Sequence, residues 1–191
     1  MKAITFRFPE FPVMLNYFSK SEAWLSSLMT GLGEGFEKEK MKFNFRMISY
    51  QGGSGTCQAH RDFGLLTLVQ QNGVGGLKVE QDDGKMVDIP GHCSLLLAGW
   101  CLHLLSNGKI PAPLHQVSNP PGRRLSCVTF LAPEKEVVLH GGLTPLYRNI
   151  KAGDLKMMMA KRWRVREGTL QPSHHDQQTS QDDFVFKNLK I

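Results

Sequence analysis

Apolar residues through the middle of this chain recur at every second position, in short runs broken by turn residues. Leu65-Leu66-Thr67-Leu68-Val69 is a compact β-prone run, and Gly76-Leu77-Lys78-Val79-Glu80 alternates. Gln81-Asp82-Asp83-Gly84 carries an Asp-Gly hairpin signal ahead of Lys85-Met86-Val87-Asp88-Ile89. Ser94-Leu95-Leu96-Leu97-Ala98 reads as a buried run, and a further extended stretch runs from Pro111 through His115 to Val117. After the Pro-Pro-Gly turn at 120–122, Leu125-Ser126-Cys127-Val128-Thr129-Phe130-Leu131 alternates again. Short strands at regular intervals with turn signals between them predict an all-β sandwich or barrel.

The flanks follow a different period. Ser19-Lys20-Ser21-Glu22 is a capping-box signature. It predicts a helix whose apolar residues Trp24, Leu25, Leu28, Met29, Leu32 and Phe36 recur at three- and four-residue intervals and pack on the outside of the β core. Glycines 31, 33 and 35 weaken its end. A second helix is expected over Gly153 to Trp163, with Leu155, Met158 and Met159. Gln171 to Asp183 is polar and reads as a loop, with Phe184-Val185-Phe186 docking back on the body. The chain thus divides into a helical flank over 1–40, a β core over 41–150, and a helix with a polar tail over 151–191. No internal repeat is visible.

Composition narrows the setting. With 191 residues and 41% hydrophobic content, the chain reads as one globular core. No apolar stretch approaches membrane-spanning length, and Met1–Phe11 lacks the apolar centre of a signal peptide. Cys57, Cys93, Cys101 and Cys127 show no paired spacing, lie in or near expected strands, and fit a reducing, cytoplasmic compartment. The net charge of +6 is concentrated in Lys161-Arg162-Trp163-Arg164-Val165-Arg166. That run reads as the solvated face of a helix rather than a nucleic-acid surface.

The candidate chemistry lies in His60-Arg61-Asp62, followed far downstream by His115 and then Arg124-Leu125-Ser126. Residues i and i+2 of a strand point the same way, so His60 and Asp62 project together and can share a metal. Two imidazoles and a carboxylate form the facial ligand set that holds ferrous iron and leaves other positions open. A buried Arg124, with the Ser126 hydroxyl on the same face, is suited to grip a carboxylate, while Arg123 points the other way. His92, His103, His140, His174 and His175 read as core or surface residues.

From Met41 to Pro133 the chain resembles the core of the Fe(II)- and 2-oxoglutarate-dependent dioxygenases. Within that superfamily it resembles the plant-type branch that includes gibberellin oxidases, flavonoid oxidases and isopenicillin N synthase. The residues carrying the likeness are Ile48-Ser49-Tyr50, Ala59-His60-Arg61-Asp62, Leu65 to Gln70, Gly75-Gly76-Leu77, Leu104-Leu105-Ser106-Asn107-Gly108, His115-Gln116-Val117, Arg124-Leu125-Ser126 and Phe130. The resemblance implies a mainly β fold, a double-stranded β-helix (jelly-roll) core with flanking α-helices. It implies His60, Asp62 and His115 as iron ligands. Arg124 and Ser126 would bind the distal carboxylate of 2-oxoglutarate, with Tyr50 reaching the same cosubstrate. Cosubstrate and O2 would be consumed in hydroxylating or desaturating a small organic molecule, giving succinate and carbon dioxide.

Two departures from the family pattern qualify that expectation. Only forty residues precede Met41, where relatives carry a substantial region that helps wall the substrate pocket; a short homologue, a fragment or a truncated product is implied. Trp100 and His103 stand where the family commonly has acidic residues. Two alternatives stay open: an oxidase that holds its substrate's own carboxylate and uses no 2-oxoglutarate, and a non-catalytic binding module. A nucleic-acid demethylase is disfavoured, because the second downstream arginine of such enzymes is not evident after Arg124.

Overall fold

The central alternation folds into two antiparallel four-stranded sheets laid face to face. In the computed structural model, residues 11–31, 40–52, 56–118, 120–166 and 189–191 are described. In chain order they form α1 (Phe11–Gly31), β1 (Met41–Tyr50), β2 (Cys57–His60), β3 (Leu66–Gln71), β4 (Leu77–Glu80), β5 (Met86–Ile89) and β6 (Leu95–Ala98). There follow α2 (Trp100–Leu105), β7 (His115–Val117), β8 (Arg124–Pro133), β9 (Val138–Leu139), β10 (Ile150–Lys151) and α3 (Ala152–Arg166). One sheet has the order β1-β8-β3-β6 and the other β2-β7-β4-β5, while β9 and β10 pair separately. This is the mainly β jelly-roll core expected from the sequence, with α-helices on its flanks.

β8 shows how the pattern builds the two layers. Arg124, Ser126, Val128 and Phe130 face the opposite sheet, whereas Leu131 and Thr129 turn to the other side. The inter-sheet face gathers Val69, Leu77, Leu97, Val117 and Val128. The outer face buries Leu131, Leu66 and Leu68 with Leu25 and Met29 of α1, Trp100 and Cys101 of α2, and Leu155 of α3. The Asp-Gly hairpin forms as expected between β4 and β5, with Gly84 at φ +79°, a left-handed conformation that glycine adopts without steric cost.

Three expectations are corrected. α1 begins at Phe11, not at the Ser19–Glu22 capping box. Pro12 suits a first helical turn because its missing N–H needs no partner there. The Ser21 hydroxyl is instead spent inside the helix, donating to the Tyr17 carbonyl at 3.0 Å. Trp24, expected on the packed stripe, is exposed, while Leu25 and Met29 carry the contact. Cys101 lies in a helix rather than by a strand, because a six-residue helix is too short to display a period. Leu32, Phe36, Gln171 to Asp183 and Phe184-Val185-Phe186 lie outside the described residues. No helix among the described residues is long and apolar enough to cross a membrane.

Candidate functional site

β2 and β7 lie side by side, and their register sets His60 directly opposite His115. The two rings are 4.3 Å apart between centroids. Asp62, two residues beyond His60, turns back toward both: Oδ1 is 3.6 Å from His60 Nε2 and Oδ2 is 3.8 Å from His115 Nε2. One ligand atom from each of the three residues lies within 4.8 Å of the others.

The remaining ring nitrogens face backbone carbonyls, His60 Nδ1 to Gln58 at 2.8 Å and His115 Nδ1 to Pro113 at 3.2 Å. A carbonyl can only accept, so each Nδ1 carries a hydrogen and each Nε2 is directed at the shared point. That is the orientation a metal-binding histidine needs. Asp62 Oδ2 is buried and makes no hydrogen bond, a costly state for a carboxylate unless a cation meets it. The donor set therefore fits a divalent iron ion.

Charge in the cluster is balanced by protons. Burial opposes charge on His60, but its bonds to Asp62 and Cys57 outweigh it and push the imidazole up to about 10. Burial also disfavours an ionised Asp62, yet the bond from His60, the nearby His115 and the Thr67 hydrogen bond keep its carboxyl below the ordinary value. His115 is lowered by burial, which exceeds the pull of Asp62, and stays neutral. Metal binding here requires His60 to give up its Nε2 proton.

The ligand loop is held by its neighbours. Trp100 N–H, at the start of α2, donates to the Asp62 carbonyl at 2.8 Å, and Cys101 N–H to that of Phe63 at 3.0 Å. Arg61 points away from the cluster, where Nη2 meets Glu80 Oε2 at 2.8 Å and Nη1 donates to the Ala112 carbonyl. One guanidinium thus ties the end of β2 to β4 and to the segment leading into His115. Trp100 and His103 belong to the buried layer behind this loop. The His103 ring bonds the Ile110 carbonyl and the Tyr147 hydroxyl, both at 2.9 Å, and stands apart from the triad.

From the triad a cavity of about 70 Å3 runs between the sheets. Ile48, Val69, Leu77, Val117 and Val128 give it apolar walls, and Arg124 and Ser126 line it too. Arg124 is only 1% exposed. It bonds Ser126 Oγ at 3.3 Å and Gln71 Oε1 at 3.1 Å, and its Cζ lies 5.0 Å from the Tyr50 ring centroid. Tyr50 is its direct partner across β1 and β8. Burial raises the Tyr50 pKa against the pull of Arg124, so the phenol stays a neutral donor. Burial disfavours the Arg124 charge, but a guanidinium keeps its proton in proteins. All six residues singled out in the sequence, His60, Asp62, His115, Arg124, Ser126 and Tyr50, line this one cavity.

Two further residues went unread. Thr67 bonds Asp62, and Gln71 bonds Arg124. Both lie on β3 at two-residue steps through Val69, a cavity-lining residue, so alternation was the signal that could have found them.

Residues 39–133, about half of the chain, match the family model of the 2OG-Fe(II) oxygenase superfamily. The core of this chain belongs to that superfamily, whose cofactors are Fe(II), 2-oxoglutarate and O2. Among curated relatives, scopoletin 8-hydroxylase of Arabidopsis thaliana is 35% identical over 120 residues, covering 56% of this chain and 33% of that protein. The alpha-ketoglutarate dependent kainoid synthase of Pseudo-nitzschia multiseries is 28% identical over 158 residues, covering 75% and 39%. This chain therefore spans little more than a third of their length. The crystal structure of the rice dioxygenase for auxin oxidation aligns with a TM-score of 0.58 at 27% identity, over 71% of this chain and 50% of that one. A full-length Neurospora crassa protein crystallised in complex with alpha-KG shares the fold, with a TM-score of 0.64 at 21% identity, over 83% and 59%.

Proposed function

We propose that this chain is an Fe(II)- and 2-oxoglutarate-dependent oxygenase that hydroxylates or desaturates a small organic molecule. The observation that carries the reading is the joint placement, in one cavity, of the His-Asp-His cluster and the buried Arg124–Ser126 pair. His60, Asp62 and His115 hold the metal through Nε2, a carboxylate oxygen and Nε2. Arg124 and Ser126 grip the distal carboxylate of 2-oxoglutarate, with Tyr50 beneath the guanidinium. Bound Fe(II) supplies oxygen activation coupled to decarboxylation of 2-oxoglutarate to succinate.

The protein's own part is positioning. Gln71 and Ser126 fix the plane of the Arg124 fork, which favours a two-point grip on a carboxylate. Val69, Leu77, Val117 and Val128 exclude water around that charge pair and strengthen it. The catalytic core comprises residues 41–150. All four cysteines are thiols, which supports a reducing, cytoplasmic setting.

The test is an anaerobic titration with Fe(II) and then 2-oxoglutarate, followed by visible absorbance, with His115→Ala and Arg124→Ala alongside. A charge-transfer band that needs His115 and weakens without Arg124 is expected. Iron binding with no response to 2-oxoglutarate would point to the oxidase alternative. A folded protein that binds no iron would be a non-catalytic module.

A further inference from the structure

Beyond the triad, the cavity face of β1 carries a cation that none of the roles above uses. Ile48 and Tyr50 line the cavity from this strand, while Phe45 on the alternate face packs against Tyr17 and Phe18 of α1. By alternation Arg46 stands on the cavity side. Its Cζ lies 5.4 Å from the ring centroid of Phe130, which lines the cavity. Its Nε donates to Asn44 Oδ1 at 3.2 Å, which leaves the two terminal nitrogens for a ligand.

Among the described residues, no carboxylate pairs with Arg46. Other strand cations do have acidic partners: Lys42 with Glu134, Lys78 with Asp88, and Lys151 with Glu136. Arg46 is exposed, yet it is held by a ring that lines the cavity and by a neighbouring side-chain amide.

Its level along the cavity distinguishes it from Arg124. Tyr50 pairs with Arg124 and Arg46 with Val128, four residues along the strand, roughly 13 Å away. Thr67, which bonds Asp62, pairs with Phe130. Arg46 is therefore on the triad's side of the cavity, opposite in direction from the carboxylate grip at Arg124.

We infer that Arg46 binds a carboxylate of the primary substrate, and that the substrate class is a small organic acid whose apolar body lies on Phe130. The inference rests on the oxygenase reading given above, with 2-oxoglutarate held at Arg124. A planar guanidinium with two free terminal nitrogens matches a carboxylate fork. Phe130, Ile48 and Val128 supply apolar surface beside it.

The full chain, saturated with Fe(II) and 2-oxoglutarate under anaerobic conditions, is titrated with phenylacetate and separately with phenylacetamide. Perturbation of the visible band is read, together with 2-oxoglutarate affinity on the same samples. The expected result is tighter binding of the acid than of the amide, a preference that Arg46→Gln reduces about tenfold and Arg46→Lys partly restores. Equal response to acid and amide, no response to either, or a preference untouched in Arg46→Gln overturns the inference. Loss of 2-oxoglutarate affinity in Arg46→Gln also overturns it, since Arg46 would then serve the cosubstrate. A wild-type protein with no 2-oxoglutarate band at all sinks the oxygenase reading itself, and with it the inference.

Discussion

The side-chain carbonyl of Gln71 accepts a hydrogen bond from Arg124 Nη2 at 3.1 Å, while its amide donates to the carbonyls of Pro90 and Cys93 at 3.3 and 3.1 Å. The guanidinium is held by Gln71 and Ser126 and faced by Tyr50, so its plane is set before any ligand arrives. Gln71→Leu keeps the bulk and removes this hold. It is expected to weaken 2-oxoglutarate about tenfold, the scale of a hydrogen bond to a charged group, and to leave iron affinity unchanged. Anaerobic titration measures both constants; unchanged 2-oxoglutarate affinity would show that Ser126 and Tyr50 suffice.

Metal is expected to stabilise the fold. Fe(II), or Mn(II) as an oxygen-stable substitute, is expected to bind only the assembled triad. At a hundredfold excess over Kd it contributes about 2.7 kcal/mol, a rise in Tm of roughly 5 to 10 °C for a chain of this size. Thermal scans with metal, with chelator, and with His115→Ala check this. A metal-induced rise that persists in His115→Ala would place the binding elsewhere.

Arg61→Ala should lower metal affinity about tenfold without removing a ligand, as losses of supporting contacts around metal sites commonly do. The Arg61 bridge to Glu80 and the Ala112 carbonyl fixes the spacing between the two histidine-bearing segments. Competition with a metal-sensitive dye gives the constant, and wild-type affinity in the variant would assign the bridge to folding alone.

Leu131 is fully buried near the C-terminal end of β8, on the face covered by α1. Leu131→Ala leaves a cavity there and is expected to cost about 2 to 5 kcal/mol. Denaturant unfolding should register the whole loss, while iron affinity of the folded fraction stays at the wild-type value.

Period-two spacing made much of the cavity legible beforehand. His60-x-Asp62 and Arg124-x-Ser126 each place two side chains in one cavity, and the alternating runs marked most of the strands. Gln71 escaped because it follows Gln70, and a one-residue shift reverses the face; its pairing with Ser126 shows that Gln71 is the amide on the Arg124 side. Arg46 escaped because an exposed arginine on a strand is ordinary by sequence, and the Phe130 ring beneath it comes from a strand distant in the chain. The start of α1 was misread because the serine of a cap and the serine of a back-bonded helical turn carry the same hydroxyl. What separates them is whether an upstream carbonyl, here that of Tyr17, is already in place.

β8 runs the length of the cavity with Arg124 and Ser126 toward one end and Val128 and Phe130 toward the other. Distances along it are counted in pairs of residues, about 6.6 Å each. Inserting one residue would send every later side chain to the opposite face, whereas exchanging a side chain near Phe130 leaves the count intact. The strand works as a ruler with a fixed zero and an open scale. With the cosubstrate at Arg124 as proposed, such a scaffold would keep that end unchanged while what is oxidised is renewed at the other.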